Sequence, residues 1–427
     1  MTLSPSPSSR RLMGVFPCVP ICFLLLGCPP PALAESSSNV PSWWNRRAPP
    51  LAPPAGPTVR VETPAQLLAA AESAAPGTTV LLADGEYRLP RPIVLNQRSQ
   101  VTLRSASGNP AGVVLRGKGW DSRDPHDDLI HIARCRSITL ADLTFADCHS
   151  YAVKVEAEHG PQDIHVYQCR FRDIGTRAIK GSAGQDPAVR ARRGSVRHCE
   201  FSNTRVPPPD WQFDGDYIAA IDMMALEDWT FSDNLFRAIR GHNGGGRAAI
   251  FLWVRTRNVV VERNLIIDCD RGIALGNPGR STANRPGEPE VYVSGALVRN
   301  NMIAGGPDCG IELWHAEGVR ILNNSIWRPE QNWARGIRIG TGTTQALIAN
   351  NLVHGEIRSE GGDARLQSNL TGKIQQLWIA PATGNLALLP DVSASAIDQG
   401  IPFPEVTDDI RRHRRGEKPD LGAWEER

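Results

Sequence analysis

The sequence has few aromatic residues, few cysteines and almost no excess of charge of either sign. Of its 427 residues, 6% are aromatic and nine are cysteine, and the net charge at pH 7 is +2. A nearly neutral chain without a basic patch is not expected to bind nucleic acid. No Cys-x-x-Cys pair occurs, so a zinc site of the cysteine type has no support.

What is abundant instead is glycine and proline, with 39 and 34 residues, in a chain whose hydrophobic content is 41%. A chain of this length and hydrophobic content can bury a large core. Many turn-forming residues suit a protein built from short strands. These numbers predict one long domain, and we expect it to be a monomer.

Six short segments align on an asparagine and read FSDNLF, VERNLI, VRNNMI, ILNNSI, IANNLV and LQSNLT. Their aligned residues are Asn234, Asn264, Asn301, Asn324, Asn351 and Asn369. An amide carries both a hydrogen-bond donor and an acceptor, and asparagine tolerates the left-handed backbone conformation. Asparagines stacked on successive turns of a coil could therefore form a hydrogen-bonded ladder.

Three upstream segments, LADLTF, VYQCRF and VRHCEF, place Leu143, Cys169 and Cys199 in the same column. Irregular self-similarity with a period of roughly 20 to 40 residues indicates a solenoid. From about Val59 to Gly372 the sequence resembles the right-handed parallel β-helix proteins of the pectate-lyase-like superfamily. The resemblance implies an all-β, single-stranded right-handed parallel β-helix with an asparagine ladder. Because this fold hosts lyases, hydrolases, esterases, epimerases and adhesins, it does not decide the chemistry.

Residues 1–34 are predicted to be a signal peptide, since Arg10 and Arg11 precede an apolar run, 15–26, that is short for a membrane span. The LLGC motif ending at Cys28 resembles a bacterial lipoprotein box, in which Cys28 would be lipidated. The ALA motif ending at Ala34 fits ordinary signal peptidase instead. We favour the lipoprotein alternative, in which the anchor is the only membrane contact. Either alternative predicts export, to the outer membrane or cell surface, or as a secreted or periplasmic protein.

The remaining chain divides into a Ser/Pro-rich tether at 35–58, the β-helix at 59–375 and a C-terminal capping segment at 376–427. Thr63, followed by proline and then Gln66, predicts a capped helix over the first turn of the coil. The ending HRRGEKPDLGAWEE resembles the closing segment of secreted bacterial β-helix proteins. We expect Leu421 and Trp424 to anchor it on the last turns.

Cys169 and Cys199 share a column on adjacent turns of the predicted coil. Strands about 4.8 Å apart would permit a disulfide in an oxidising compartment. Alternatively, the two cysteines stack as small buried hydrophobic residues, which is the alternative we favour.

A second set of segments reads YAVKVEA, RAIKGSA, AAIDMMA, AAIFLWV, RGIALGN, CGIELWH and RGIRIGT. If the isoleucine or valine at the third position points inward, strand alternation turns the next residue outward. One predicted outward column is Lys154, Lys180, Asp222, Phe251, Ala274, Glu312 and Arg338. The column two residues further on is Glu156, Ser182, Met224, Trp253, Gly276, Trp314 and Gly340.

This outward face is predicted to be a polysaccharide-binding cleft. Exposed Trp253 and Trp314 would provide flat apolar surfaces for sugar rings, and cations such as Lys154 and Arg338 would recognise carboxylates. Glu312 lies in the same column, and His315 extends the face. The alternative is an ordinary solvated sheet, partly covered by loops that shelter the tryptophans.

The glycine-rich segment 240–247 precedes the Phe251 strand and carries Arg240, His242 and Arg247. Its glycines would let the backbone approach a ligand closely. It lacks the lysine-serine ending of a phosphate-binding loop. We therefore expect the segment to contribute polar side chains to the cleft, with a flexible turn as the alternative.

The predicted reaction is β-elimination in a uronate-containing polysaccharide. Lys180 or His242 would remove the proton, Asp222 would complete the catalytic group, and Arg247, Arg240 or Lys154 would neutralise the sugar carboxylate. Crowding by cations would favour Lys180 as a base. Hydrolysis fits less well, because Asp222 and Glu312 would lie about 14 Å apart, beyond the usual carboxylate separations. A noncatalytic surface module that binds glycan remains the rival from another class.

No cofactor is predicted with a defined set of ligands. Two acidic loops could bind calcium through carboxylates, although neither has defined ligand spacing. They contain Asp210, Asp214 and Asp216, and Asp121, Asp124, Asp127 and Asp128 with His126 and His131. The entry region resembles chondroitinase B and alginate lyases, but their Asn/Glu-rich calcium motif is not found here, so their site residues are not transferred.

Overall fold

The structure, a computed structural model, describes residues 40–44, 48–279, 290–329 and 334–426. The predicted signal peptide, Cys28 and the first residues of the tether lie outside the described residues. Within these ranges, no helix is both long and apolar enough to span a membrane.

The chain winds into a right-handed coil whose strands form three long parallel sheets, as the asparagine pattern predicted. The first sheet contains Thr58–Val61, Thr79–Leu82, Ser99–Ser105, Arg136–Ala141, Gln162–Tyr167, Ala191–Arg192, Ser195–Arg197, Leu226–Glu227, Thr230–Ser232, Thr256–Arg257, Val260–Glu262, Val293–Ser294, Leu297–Arg299, Ala316–Glu317, Arg320–Leu322, Ala346–Ala349 and Ala364–Gln367. The second contains Gly85–Arg88, Val113–Arg116, Thr144–Cys148, Arg170–Ile174, Glu200–Ser202, Leu235–Arg237, Leu265–Ile267, Met302–Ala304, Ser325–Trp327, Leu352–His354 and Leu370–Gly372. The third contains Ile93–Asn96, Ile130–Ala133, Tyr151–Val155, Arg177–Gly181, Ala219–Met224, Ala248–Trp253, Arg271–Leu275, Cys309–Leu313, Ile337–Gly340 and Ile357–Glu360.

The core runs along the axis of the coil and is built from columns of like residues. In the third sheet the predicted inward column pairs in register and is fully buried; it comprises Val153, Ile179, Ile221, Ile250, Ile273, Ile311 and Ile337. In the second sheet Phe145, Phe171, Phe201 and Phe236 stack with ring centroids 4.6 to 4.9 Å apart. This separation matches the spacing of neighbouring strands, so each turn of the coil places its side chain directly on the previous one.

The asparagine ladder is continuous from Asn234 to Asn369. Each side-chain N–H donates to the Oδ1 of the next asparagine at 2.9 to 3.0 Å. The predicted reason for asparagine is wrong in one respect, because the left-handed residue is the one before each ladder position, as at Asp233 (φ 59°) and Arg263 (φ 51°). Asparagine is therefore used for its amide rather than for its backbone.

Cys169 and Cys199 continue the ladder upstream as free, buried thiols. The backbone N–H of Cys199 donates to Oδ1 of Asn234 at 2.9 Å, and that of Cys169 donates to Sγ of Cys199 at 3.4 Å. Burial raises the pKa of the Cys169 thiol well above its usual value. The stacked-thiol alternative is confirmed, and the disulfide alternative is wrong.

The predicted capping helix is present as Pro64–Ser73. The Thr63 hydroxyl accepts from the Gln66 N–H at 3.2 Å, and the Gln66 side chain accepts from the Thr63 N–H in return. Leu67, Leu68 and Ala71 are buried in the core. The helix thus covers the apolar interior at the first turn of the coil.

The C-terminal segment lies against the outside of the second sheet. It contains an antiparallel pair, Trp378–Ala380 and Asn385–Leu388, and the short 3₁₀ turns Gln375–Leu377, Pro381–Thr383 and Pro390–Val392. Leu421 and Trp424 are buried there beside Leu265 and Met302. Arg415 is buried as well and donates to the Glu425 carboxylate at 2.8 Å.

A second column of asparagines, one residue before the ladder, holds this segment in place. The side-chain amides of Asn300, Asn323 and Asn350 donate to the carbonyls of Asp408, Asp420 and Ile401 at 2.7 to 3.0 Å. The double asparagines in the aligned segments therefore have two roles. The second of each pair builds the ladder and the first fastens the tail.

The tryptophan pair in the predicted tether also packs on the tail. The 3₁₀ turn Ser42–Trp44 places the Trp43 ring 5.4 Å from that of Trp424. The Trp43 indole N–H donates to Oδ1 of Asn385 at 2.9 Å. Two further 3₁₀ turns lie in loops, at Trp120–Ser122 and Ala157–His159.

Candidate functional site

The predicted outward column of the third sheet has the predicted register. Consecutive strands pair Lys154 with Lys180, Lys180 with Asp222, and so on through Phe251, Ala274, Glu312 and Arg338. The prediction that this face is exposed is wrong at its centre. Asp222 and Glu312 are each 1% exposed, and Lys180 and Trp314 are 8% exposed. Loops that enter the strands fold over the face, for example at Tyr217, whose ring lies 3.7 Å from the Arg177 guanidinium.

A first charge cluster is built around the Asp222 carboxylate. It accepts from Arg177 Nε at 2.6 Å, from Lys180 Nζ at 2.9 Å and from the Trp253 indole at 3.0 Å. Burial alone would raise the pKa of Asp222, but the charges of Lys180 and Arg177 outweigh burial and lower it to about 2. Lys180 is therefore ion-paired with the carboxylate of its neighbour in the column, which opposes the effect of the surrounding cations.

A second cluster repeats this arrangement around Glu312, three strands further along. The Glu312 carboxylate accepts from Arg271 at 3.0 Å, from Arg338 at 3.4 Å and from the Trp314 indole at 3.3 Å. Arg338 also donates to Glu360 at 2.7 Å. A Cβ added at Gly340 would lie 2.1 Å from the Trp314 ring. The lack of a side chain at Gly340 therefore makes room for the indole. The prediction that Trp314 is an exposed sugar platform is wrong.

Arg177 and Arg271 were missed by the sequence reasoning. They share a column of the third sheet, and the two strands between them carry Ala219 and Ala248 at that position. The column is visible in the sequence as the first letter of each aligned segment. Strict strand alternation would place this column in the interior, whereas the Arg177 guanidinium lies beside the outward-facing Asp222. The two small alanines leave space between the arginines.

The glycine-rich segment forms a closed loop around two aspartates. Oδ2 of Asp270 accepts from the backbone N–H groups of Gly241 and Gly246 at 2.7 and 2.9 Å. Asp216 accepts from the N–H of Asn243 at 3.0 Å. Burial raises the pKa of Asp270 to about 6. The loop is thus pinched at Gly241 and Gly246, and it is an ordered structure rather than a flexible turn.

Arg247 directly follows Gly246 at the end of this loop. It is half-buried between the two clusters. Its guanidinium lies 5.3 Å from the Phe213 ring. Burial, then the positive charges of Arg177 and Arg271, lower the pKa of Arg247, and the negative charge of Asp222 opposes them. Within the described part of the chain, no carboxylate or carbonyl accepts a hydrogen bond from this guanidinium.

The other predicted site residues are exposed or have partners in the protein. His242 is exposed on the glycine-rich loop. The Arg240 guanidinium donates to the side chain and to the backbone carbonyl of Asp268. The His315 ring packs edge-on to Tyr292 at 5.4 Å. Trp253 is half-buried, with its ring stacked on Phe251 at 5.1 Å.

Lys154 is half-buried, and its Nζ is 4.0 Å from a carboxylate oxygen of Glu156. Its side chain is 29% exposed, against 10% for Lys180 and 15% for Arg338, so it is the most accessible cation of the predicted column.

The two acidic loops do not form calcium sites among the described residues. Asp121 pairs with Arg205 at 3.0 Å, and Asp124 pairs with Lys118 at 2.5 Å. Asp127 accepts from the backbone N–H groups of Lys118 and His149, each at 2.8 Å. In the second loop, Asp210 pairs with Arg123 at 2.5 Å. These carboxylates therefore bind cations and backbone groups of the protein itself.

A groove of about 380 Å³ lies on a different surface, over the first sheet. Its lining includes His165, Tyr167 and Arg193, and Leu51 closes one side. The Tyr167 hydroxyl donates to the Pro49 carbonyl at 2.6 Å, so the segment before the β-helix already occupies part of this surface. The chain itself therefore covers one edge of this groove, which makes the groove a weaker candidate site than the third sheet.

Two solved structures are similar to this one over most of their length. Pectate lyase Pel9A matches with a TM-score of 0.57 and 14% sequence identity, covering 84% of this chain and 90% of the pectate lyase. The fold is that of pectate lyases. A rhamnogalacturonan lyase matches with a TM-score of 0.57 and 12% identity, covering 76% of this chain and 91% of that protein. No family model and no curated protein matches the sequence. At such identities the likeness is one of fold.

Proposed function

We propose that the protein is an extracytoplasmic carbohydrate-active enzyme that binds a uronate-containing polysaccharide over the third sheet and cleaves it by β-elimination. The observation that supports this most is Arg247. It is a half-buried arginine that donates to no acceptor of the described chain, whereas Arg177 and Arg271 on either side are each bonded to a carboxylate. An unsatisfied guanidinium between two neutralised arginines suits an incoming carboxylate, which it can bind through two parallel hydrogen bonds.

A cation on the sugar carboxylate is what β-elimination requires first. Neutralising this carboxylate makes the neighbouring C5 proton more acidic and stabilises the charge that develops when a base removes it. The electron pair then forms the C4–C5 double bond, and the oxygen on C4 leaves and takes a proton from water. We assign the first task to Arg247.

His242 is the better candidate for the base than Lys180. The loop that carries His242 and Arg247 is pinched, since a Cβ on Gly246 would lie 3.1 Å from the Gly241 nitrogen. Because His242 follows Gly241 and Arg247 follows Gly246, both side chains start where the two ends of the loop meet. The Lys180 ammonium, by contrast, is buried and bonded to Asp222, so it would have to leave an ion pair before it could accept a proton. In this proposal Lys180 and Asp222 hold Arg177 and Trp253 in place.

One observation favours the noncatalytic rival. The central carboxylate of each cluster is bonded to cations of the protein, and such a surface could bind glycan without cleaving it. The predicted carboxylate pair does not favour a hydrolase. Asp222 and Glu312 are three strands apart, about 14 Å, and paired catalytic carboxylates lie at most about 9.5 Å apart.

Incubation with alginate, pectate, hyaluronan, chondroitin and heparin tests the proposal. Elimination creates an unsaturated sugar that absorbs at about 235 nm, so one of these polymers should give increasing absorbance. Arg247→Ala should abolish the increase, and Arg365→Ala, an exposed arginine on the first sheet, serves as the matched control. Retention on a glycan column without absorbance would favour the binding module. New reducing ends without absorbance would favour hydrolysis.

The extracytoplasmic location rests on residues 1–34 of the sequence. A lipoprotein signal predicts that the full chain fractionates with membranes and that Cys28→Ser moves it to the soluble exported fraction. Retention of both forms in the cytoplasm would contradict export.

A further inference from the structure

A cluster of metal-binding side chain types lies at the end of strand Tyr151–Val155, where the sequence reads Glu-Ala-Glu-His. One ligand atom each of Glu156, Glu158 and His159 lies within 4.8 Å of the others. All three residues are half-buried, and the 3₁₀ turn Ala157–His159 brings them together. His131, on the preceding strand of the third sheet, faces the same cluster.

The separations in this cluster are wrong for hydrogen bonds and right for a shared ion. Glu156 Oε2 lies 3.5 Å from His159 Nε2, and Glu156 Oε1 lies 3.6 Å from His131 Nδ1. Hydrogen bonds between such atoms are about 2.7 to 3.2 Å long. In a tetrahedral site with metal–ligand bonds of about 2.0 to 2.2 Å, neighbouring ligand atoms are about 3.4 Å apart.

The orientation of His131 is a second observation, independent of the cluster. Its Nε2 lies 2.7 Å from Oδ2 of the buried Asp128, whose other oxygen accepts from the Tyr151 N–H at 3.0 Å. An ionised carboxylate can only accept, so Asp128 holds a proton on Nε2 and fixes the ring with Nδ1 directed at Glu156. Such outer partners hold metal-ligating carboxylates in position.

We propose that Glu156, Glu158 and His159 bind one divalent transition-metal ion of the zinc class, with His131 and Asp128 as positioning residues beside Glu156. The Ser182 hydroxyl on the next strand donates to Glu158 and fixes that carboxylate. Imidazole ligands suit zinc, copper and nickel, whereas calcium and magnesium prefer oxygen alone. Lys154 lies 4.0 Å from Glu156, and the metal replaces this contact. The site does not depend on the proposed β-elimination.

The test is isothermal titration of the full, chelator-treated chain, produced without a histidine tag, with Zn²⁺ and separately with Ca²⁺. We expect one Zn²⁺ per chain with a Kd of about 10 µM or tighter, and Ca²⁺ at least about 100-fold weaker. His159→Ala should weaken Zn²⁺ binding at least tenfold, and His131→Ala and Asp128→Asn should each weaken it about tenfold. His126→Ala, an exposed histidine on the neighbouring loop, should bind like the wild type.

Three results would overturn the site: no saturable Zn²⁺ binding, equal binding by His159→Ala and the wild type, or Ca²⁺ binding as tight as Zn²⁺ binding. Because Asp128 is buried, its variant requires a circular dichroism check that it is folded. His159 is half-exposed on a turn, so its variant decides the question even where Asp128→Asn does not fold.

Discussion

The indole N–H of Trp253 donates to the Asp222 carboxylate of the neighbouring strand at 3.0 Å. With Arg177 and Lys180 on the other oxygen, Asp222 holds three donors at once, two of them buried. We therefore predict that Asp222→Asn destabilises the protein by about 3 to 5 kcal/mol, because two buried cations lose their counter-charge. Urea denaturation measures this. Asp228→Asn, at an exposed turn position, is the control, and equal midpoints for the two variants would show that the cluster contributes no stability.

The Asp270 carboxyl gives a prediction about pH. Burial raises its folded pKa to about 6, above the value near 3.8 of a free aspartate. The folded state therefore binds the proton more tightly, and the stability that this proton contributes is lost as the pH rises through about 6. In the variant Asp270→Asn, the amide oxygen would still accept from Gly241 and Gly246, but the side chain would carry no charge. Relative to the wild type, this variant should gain up to about 3 kcal/mol between pH 4 and pH 7.

Thermal or urea unfolding of both proteins across this pH range checks that prediction. Asp420, whose pKa burial also raises to about 6, is present in both proteins, so the difference isolates Asp270. If the difference in stability between the two proteins does not change from pH 4 to pH 7, Asp270 does not titrate in that range.

Substitutions in the middle of the asparagine ladder should destabilise the protein most. Asn301 is fully buried; it donates to Asn324, Val261 and Arg299, and its Oδ1 accepts from Asn264. Asn301→Ala leaves several of these groups without partners and should cost about 3 kcal/mol or more. Asn369→Ala, at the half-buried end of the ladder, should cost about 1 to 2 kcal/mol. Equal losses in denaturation experiments would contradict the ladder as a cooperative element.

Trp424 should hold the tail on the second sheet. Its ring lies between Trp43 at 5.4 Å and the Arg411 guanidinium at 3.4 Å. Trp424→Ala should cost about 3 to 5 kcal/mol and expose segment 374–426 to protease. Ile379→Ala, at a tail position that is 53% exposed, should do neither. A tail that resists protease equally in both variants would assign its attachment to the asparagine contacts alone.

The sequence was sufficient for the fold and for the register of the third sheet. Asn264 and Ile250 occupy columns in which each turn repeats the same residue type, because the neighbour above and below is the same position of the coil. Such repetition is readable without structure. It identified Lys180 and Asp222 as cross-strand neighbours although 42 residues separate them.

Exposure and loop contacts were not readable in the same way. Trp314 was expected in solvent, but its burial depends on Arg338 and on the space at Gly340, which no local pattern reveals. Arg177 was missed because strict alternation fails at the first residue of the strand. Arg240 has a partner and Arg247 has none among the described residues because of the way the loop closes on Asp270. An alignment of repeats cannot predict how this loop closes.

The central claim is that Arg247 binds a substrate carboxylate during β-elimination, and one measurement tests it most directly. It is the initial rate of absorbance increase at about 235 nm, on the polymer that the wild type cleaves, for the wild type, Arg247→Lys and Arg247→Ala. We predict that Arg247→Ala loses about 100-fold or more of the rate and that Arg247→Lys keeps an intermediate rate, because lysine retains the charge but not the two parallel donors. Cleavage by Arg247→Ala at the wild-type rate would contradict the account.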